Sequence, residues 1–541
     1  MKRKLLMLTA LALCLALLCG CTTIATSEWM QNLFPVGDEA VAAQQTGSVE
    51  DSTAEQEVKQ VVTETYTALE SFGLAYQPDY GLQPYNCQSL NNRIIFSFLY
   101  EPLFAVTDGY EAEPILAESY LVTDDGKTTT VKLRSGVTFH DGTAMTAADA
   151  AYSIASAMGS EYYGSRLRFI IEAQAQDDLT LVLSTSEAYE CLPLLLDIPI
   201  IKSGTKDEVS PPGTGPYEFA GTKLTRCENW WRDTAPLVDF DEIALTVSST
   251  AADVRDNFEY QKVNMVLTDP NSSAFAGFHN DYELWNEETT IMQYIGYNIT
   301  SKVFSNYGLR SAITYAIDRD HLATDIMGGF AQPAVLPASP QAPFYDGKLA
   351  NTYGYNLTKF SQQLESASVE DMDNDGTLDL YVPSLGYAVS VAGTMIVCSS
   401  SYQRVEAATE VVNALNALGF KITLKTLELS EFRQALQTGN FDLYYGEIRL
   451  SNNFDLTPFF SASGSMCYGG LDDSVMLNLC TQALANNGNS YNLYKRLCER
   501  GYITPVLFKN LAVYTTRGSI AHPTDYIDWF LIPPANEAAE G

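Results

Sequence analysis

Over residues 405–450 the hydrophobic period switches repeatedly between helical and extended, and this alternation most constrains the fold. "VEAATEVVNALNALGF" (405–420) repeats as a helix and meets Gly419, a residue suited to the left-handed turn that ends helices. "KITLKTLEL" alternates as a strand, residues 432–439 read as a second helix, and "FDLYYGEIRL" as a second strand. Helix and strand in alternation mean α/β architecture. Earlier segments agree: residues 93–100 read as a helix, 179–184 as a strand and 189–196 as a short helix. Thr146, three residues before Asp149, begins a capping-box helix through Tyr152 and Ile154. A chain of 541 residues exceeds one compact core, so two to four domains are expected.

Charge narrows the partners. With 32 basic against 66 acidic residues and a net charge of −34, the chain repels phosphate backbones and anionic lipid, so no nucleic-acid partner is expected. Lys2, Arg3 and Lys4 followed by an apolar run to Leu18 read as a signal peptide over residues 1–20. The run is too short to prefer a membrane-spanning helix. Residues 21–60, rich in Thr, Ala, Gln, Ser and Glu, read as a flexible tether. Of ten cysteines, Cys14 and Cys19 fall in the signal; no CxxC spacing points to zinc or redox chemistry. Buried free thiols are the expectation for Cys87, Cys191, Cys227, Cys398, Cys467, Cys480 and Cys498.

Motifs in a fixed order carry a family resemblance. They are "YEPLF", "EPILAESY", "DDGKT" and "GVTFHDGTAMTAADAAY" within residues 99–152, then "PPGTGPYEF", "ENWWRDTAPLVDFDEIALTV" and "YIGYNITSKVFSNYGLRSAITYAIDRDHLATDIMGGFAQPA". Together they closely resemble the extracellular solute-binding proteins of family 5, the oligopeptide, dipeptide and nickel receptors of ABC importers. The resemblance runs from about Leu69 to the C-terminal "DWFLIP". It implies an α/β, two-lobed periplasmic-binding-protein-like fold of type II, in the larger class with an extra subdomain in lobe I. The expected division is 61–300 for lobe I, with the subdomain at about 87–210, then 301–500 for lobe II and 501–541 for the return. Crossovers are expected near Asn298 and Gly501, and one amphipathic helix over residues 309–326, with Arg310, Asp318 and Arg319 on a solvated flank. The "LCGC" of residues 18–21 resembles a lipobox, implying lipidation at Cys21 and an extracytoplasmic, membrane-anchored protein, whether on the outer face of the cell membrane or periplasmic. A monomer that delivers a peptide or other small solute to permease subunits follows, without catalysis and without a cofactor.

The specificity segment is residues 444–458, "YYGEIRLSNNFDLTP". Peptide receptors of the family have glycine, tryptophan, two residues and then an aspartate that pairs with the ligand's ammonium group. Anchored on Gly446, those positions hold Glu447 and Leu450. Replacement polar contacts are expected from Glu447, Arg449, Asn452, Asn453 and Asp455, although alternate residues of a strand face opposite ways. Tyr85, Asn86, Trp230 and Trp231 are further candidates from lobe I, with core packing as the alternative for the aromatics. A non-peptide solute, such as an oligosaccharide or metal chelate, remains open beside the peptide reading.

Other chemistry finds little support. GxSxG, HExxH and Walker A patterns are absent, and His140, His279, His321 and His522 are scattered; a secreted lipoprotein hydrolase is the disfavoured alternative. His140, in "FHDG", is expected to be scaffold. "DMDNDGTLDLY" at residues 371–381 has the carboxylate spacing of a calcium loop, but Val382 stands where an EF-hand has its closing Glu, so an acidic surface turn is expected and no metal site.

Overall fold

The computed structural model describes residues 69–232, 236, 238–270 and 278–520. The signal, the tether, Cys21 and the C-terminal "DWFLIP" lie outside them.

Two long antiparallel strands, Tyr282–Tyr297 and Ile503–Thr516, form the middle of an 11-stranded sheet. Their pairing has two parts. Residues 282–287 oppose 511–516, residues 291–296 oppose 503–509, and register breaks separate Glu287 from Ile291 and Gln293 from Tyr294. Met265–Thr268 pairs only with the far end of Ile503–Thr516, and leads on to Phe72–Tyr76, Glu242–Val247, Lys223–Arg226 and Tyr217–Phe219. Leu443–Arg449 pairs only with the second part of Tyr282–Tyr297, and leads on to Ala392–Cys398 and Lys421–Leu427. Each half therefore has its own neighbours, the apolar clusters follow the halves with overlap at Tyr110, Ile291 and Leu484, and the halves are the two lobes. The joint is residues 288–290, where Thr289 Oγ1 donates to Lys509 O (2.5 Å) and Thr290 Oγ1 to Leu450 O (2.5 Å). Such breaks locally bend and twist a ladder.

The first lobe carries a four-stranded antiparallel sheet, ordered Ala117–Val122, Thr128–Leu133, Thr180–Thr185 and Ile170–Asp177, with helix Ala147–Met158 beside it. That helix starts as expected: the Asp149 carboxylate accepts the Thr146 backbone N–H at 2.9 Å. In the second lobe, parallel strands Ala392–Cys398, Lys421–Leu427 and Leu443–Arg449 alternate with helices Tyr402–Ala417 and Leu429–Thr438. The seven cysteines in the described residues form no disulfide. No described helix is long and apolar enough to cross a membrane.

Three expectations need correction. Tyr282–Tyr297 begins well before the short strand that "YIGYN" (294–298) suggests, because its first half pairs with Ile503–Thr516 some 200 residues away in sequence, whereas the strand character of "YITPVLFKNLAVYTT" (502–516) stands as read. The helix expected over 309–326 is broken: Tyr307–Ile313 passes through a tight turn to extended Ile317, and Asp318 then accepts the His321 N–H (3.1 Å) and starts a separate turn. Arg310 and Arg319 are not on a solvated flank but are 4% exposed. Arg310 donates to the carbonyls of Phe304, Arg500 and Gly501 at 2.6–2.9 Å, and Arg319 to those of Ala334, Pro505 and Thr314 at 2.9–3.0 Å. Both tie the second lobe to the start of Ile503–Thr516. Finally, residues 189–196 hold only a 3₁₀ turn, Leu192–Leu195, with Pro193 in it.

Candidate functional site

Strand Leu443–Arg449 ends at the seam between the lobes, and its period of two sorts the candidates. Leu450 is buried with Phe454, Phe459 and Phe508, while its backbone exchanges hydrogen bonds with Thr290. An apolar side chain so enclosed offers nothing to an ammonium group. On the other face, Glu447 is buried and accepts from Gln293 Nε2 (2.9 Å), with Lys509 Nζ at 3.5 Å and Arg404 Nε at 3.9 Å. Burial alone raises a carboxyl pKa, but Arg404 and Lys509 outweigh it and hold Glu447 at about 2. Lys509 is also paired with Asp269 (2.8 Å). Glu447 is thus engaged in an internal charge network.

Arg449, half-buried, reaches across the seam, with Nη2 3.4 Å from Tyr162 O. The loop beyond it crosses repeatedly. Asn452 Nδ2 donates to Leu194 O (3.1 Å) and Asp197 Oδ2 (3.0 Å), and Asn453 Nδ2 to the Tyr189 hydroxyl (2.7 Å). Asp455 accepts the Thr457 N–H (2.8 Å) and pairs with Arg168, which also donates to Thr457 Oγ1. Between them Phe454 has φ +51°, a left-handed conformation costly for an aromatic residue, and its ring packs on Tyr110, Phe344 and Phe508. Tyr110 comes from the first lobe, so this backbone is held by packing from both sides.

The remaining candidates separate. Tyr85 is buried, donates to Pro199 O (2.7 Å) and packs edge-on against Tyr163, so it supports the seam from behind. Asn86 is exposed and its backbone N–H donates to Gln83 Oε1; it is not brought to the loop. Trp231 Nε1 donates to Glu101 Oε2 (2.5 Å), which also accepts from Thr214 Oγ1 (2.9 Å), while Arg232 pairs with Glu101 Oε1 (2.9 Å) and lies beside both Trp230 and Trp231. "YEPLF", "GTGPY" and "WWR" therefore meet at one buried carboxylate, which makes the tryptophan pair part of the lobe I scaffold. His140 is also scaffold: its Nδ1 accepts the Gly213 N–H (3.3 Å), its Nε2 faces Gly215 O (3.1 Å), and burial lowers it to about 4.

Sequence reading missed Arg93, Tyr162, Tyr163, Arg166, Arg168 and Asp197. An arginine inside the apolar helix Leu90–Leu99 and the run "YYGSRLRF" are the signals that mark them. The acidic turn at 371–375 has its three carboxylates within 4.8 Å of one another, and they accept backbone N–H groups of Asp375, Gly376 and Thr377.

The sequence profile of bacterial extracellular solute-binding proteins, family 5 (middle) matches residues 111–466. Among curated proteins, the glutathione-binding protein GsiB of Escherichia coli (strain K12) is 28% identical over 287 residues, covering 48% of this chain and 54% of that protein. The chain thus spans about half the length of the curated relatives it matches. The oligopeptide-binding protein AppA from Bacillus subtilis, solved with a nonapeptide, superposes with a TM-score of 0.56 at 19% identity, covering 85% of this chain and 97% of that one. NikA from Brucella suis, solved with Fe(III)-EDTA, gives 0.63 at 18% identity, covering 85% and 99%. At these identities the two structures speak for the fold, and the profile speaks for the family. The chain belongs to the bacterial extracellular solute-binding proteins of family 5.

Proposed function

We propose that this protein is the extracytoplasmic receptor of an ABC importer, which encloses a peptide between its lobes and delivers it to permease subunits. The observation that carries this reading is the seam itself. Arg449, Asn452, Asn453 and Asp455 of one lobe all meet residues 162–197 of the other. A ligand that touches both surfaces favours the closed arrangement by its differential contacts. Residues 288–290 and 509–510, at the break between the half-sheets, are the hinge in this account. The protein works as a monomer without a cofactor, tethered by a lipid on Cys21, and its action is binding rather than catalysis.

A second reading within the same fold, a non-peptide solute, is favoured by one observation: Leu450 is buried where peptide receptors of the family have an ammonium-pairing aspartate. Releasing the bound small molecules from purified protein and identifying them by mass spectrometry decides between the two. Peptides are expected; recovery of a sugar or metal chelate overturns the peptide assignment. Turnover of a substrate by the isolated protein overturns binding as the whole function.

A further inference from the structure

The second lobe holds a cavity of about 620 Å³ away from the seam. Its lining includes residues 439–442, just before strand Leu443–Arg449, and a strand of that length carries the chain about 20 Å before it reaches the seam. Alternation sets the floor. Ala392, Thr394 and Ile396 share one face of their strand, and Lys425 lies opposite Ile396 on that same face of the neighbouring strand. The buried Val303 and Phe441 complete the apolar part.

The polar walls are already bonded and so held in place. Asn298 Nδ2 donates to the carbonyls of Gly439 (3.1 Å) and Phe441 (3.0 Å), while its Oδ1 accepts the Thr300 N–H (3.1 Å) and the Thr300 hydroxyl (2.6 Å). Asp442, the one carboxylate of the lining, accepts from Ser301 Oγ and from the Thr394 N–H, each at 2.9 Å. It pairs with neither Lys302 nor Lys425, and both of these exposed lysines are without an ion pair among the described residues. Lys425 belongs to the last strand of the large sheet, where a lysine deters pairing with another chain. Lys302 sits on a separate loop and has no such duty. What the two share is the mouth of the cavity.

An ammonium is a compact charge with freely turning donors, suited to the oxygens of a carboxylate or phosphate. The floor beneath offers apolar area to the body of the same molecule, and the volume is that of small-molecule sites. We propose that this cavity is a second ligand site, distinct from the interlobe cleft, and that it takes a small organic anion. The oxyanion sits between Lys302 and Lys425, and the apolar body rests on Ile396, Phe441 and Val303. One lobe supplies the whole lining, so occupancy needs no lobe closure and does not depend on what the cleft carries.

Lysine acetylation of the wild-type protein, mapped by mass spectrometry, tests the site with phenyl phosphate as the probe. Saturating phenyl phosphate is expected to slow acetylation of Lys302 and Lys425 about fivefold and to leave the exposed Lys348 unchanged. Inorganic phosphate alone and benzyl alcohol alone, each offering half of the ligand, are expected to protect less. In isothermal titration, Lys302→Gln and Lys425→Gln are each expected to weaken phenyl phosphate binding about fivefold, the worth of one exposed ion pair, with the melting temperature unchanged. Equal acetylation with and without phenyl phosphate overturns the site. So does a titration that is the same in wild type and in the double variant, because the binding then lies elsewhere. Equal protection by inorganic phosphate also overturns it, leaving an adventitious ion only. The acetylation experiment uses wild-type protein, so it decides the matter even if a variant fails to fold.

Discussion

Glu447 shows how one buried charge organises the strand end it sits on. Its carboxylate is held ionised by Arg404 and Lys509 and is bonded by Gln293. Glu447→Gln removes the charge that Arg404 and Lys509 share and leaves Lys509 with Asp269, and a loss of about 3 kcal/mol is expected in urea denaturation. His140 makes the opposite case. Burial lowers its folded pKa from 6.5 to about 4, so the unfolded chain takes up a proton at a pH where the folded one does not. The contribution is fully present above pH 6.5 and is lost as pH falls toward 4, by up to about 3 kcal/mol. In chemical denaturation between pH 7 and 4, His140→Asn is expected to lose less stability than wild type over that window. Equal slopes would show that His140 does not titrate with folding.

At the scale of elements, the two long strands depend on what holds their second-lobe end. Arg310 bonds three carbonyl groups and Arg319 four, among them Gly501 and Pro505 at the start of Ile503–Thr516, and Gly501, with φ +55°, passes so close to Arg310 that a Cβ there would lie 2.7 Å from it. Arg319→Met strips donors from the Ala334, Pro505 and Thr314 carbonyls, and a loss of about 3 kcal/mol in thermal or urea unfolding is expected. Gly501→Ala meets both a left-handed backbone and a clash, and is expected to destabilise by more than about 1 kcal/mol. Elements governed by local chemistry were readable from the chain: the Asp149 capping box and the helix end at Gly419. The full length of the other long strand was not. Tyr282–Tyr297 passes from a partly exposed first half to a fully buried second half, so no single period marks it, and its partners are distant in sequence. The same reasoning applies to the seam. Residues 449–455 stood out against a family motif, whereas Arg93 and Arg166 acquire meaning only once the lobes bring them to Arg449.

At the scale of the molecule, two half-sheets share a pair of strands with broken register, and the 449–455 loop spans the seam beside that joint. The bonds that residues 449–457 make across the seam are polar, and beside them Phe454 packs on Tyr110 of the first lobe. Arg168 binds Asp455 and Thr457 from the opposite lobe while its own side chain is 35% exposed. Arg168→Ala is therefore expected to weaken closure and solute affinity several-fold with little change in melting temperature, read by titration and differential scanning calorimetry on one sample. Small-angle X-ray scattering of the protein, first stripped of bound solute by reversible denaturation and then resupplied with the solute identified by mass spectrometry, tests the central claim most directly. The account predicts a smaller radius of gyration when solute is added, and a weaker contraction in Arg168→Ala. An unchanged radius at saturating solute would contradict capture by lobe closure.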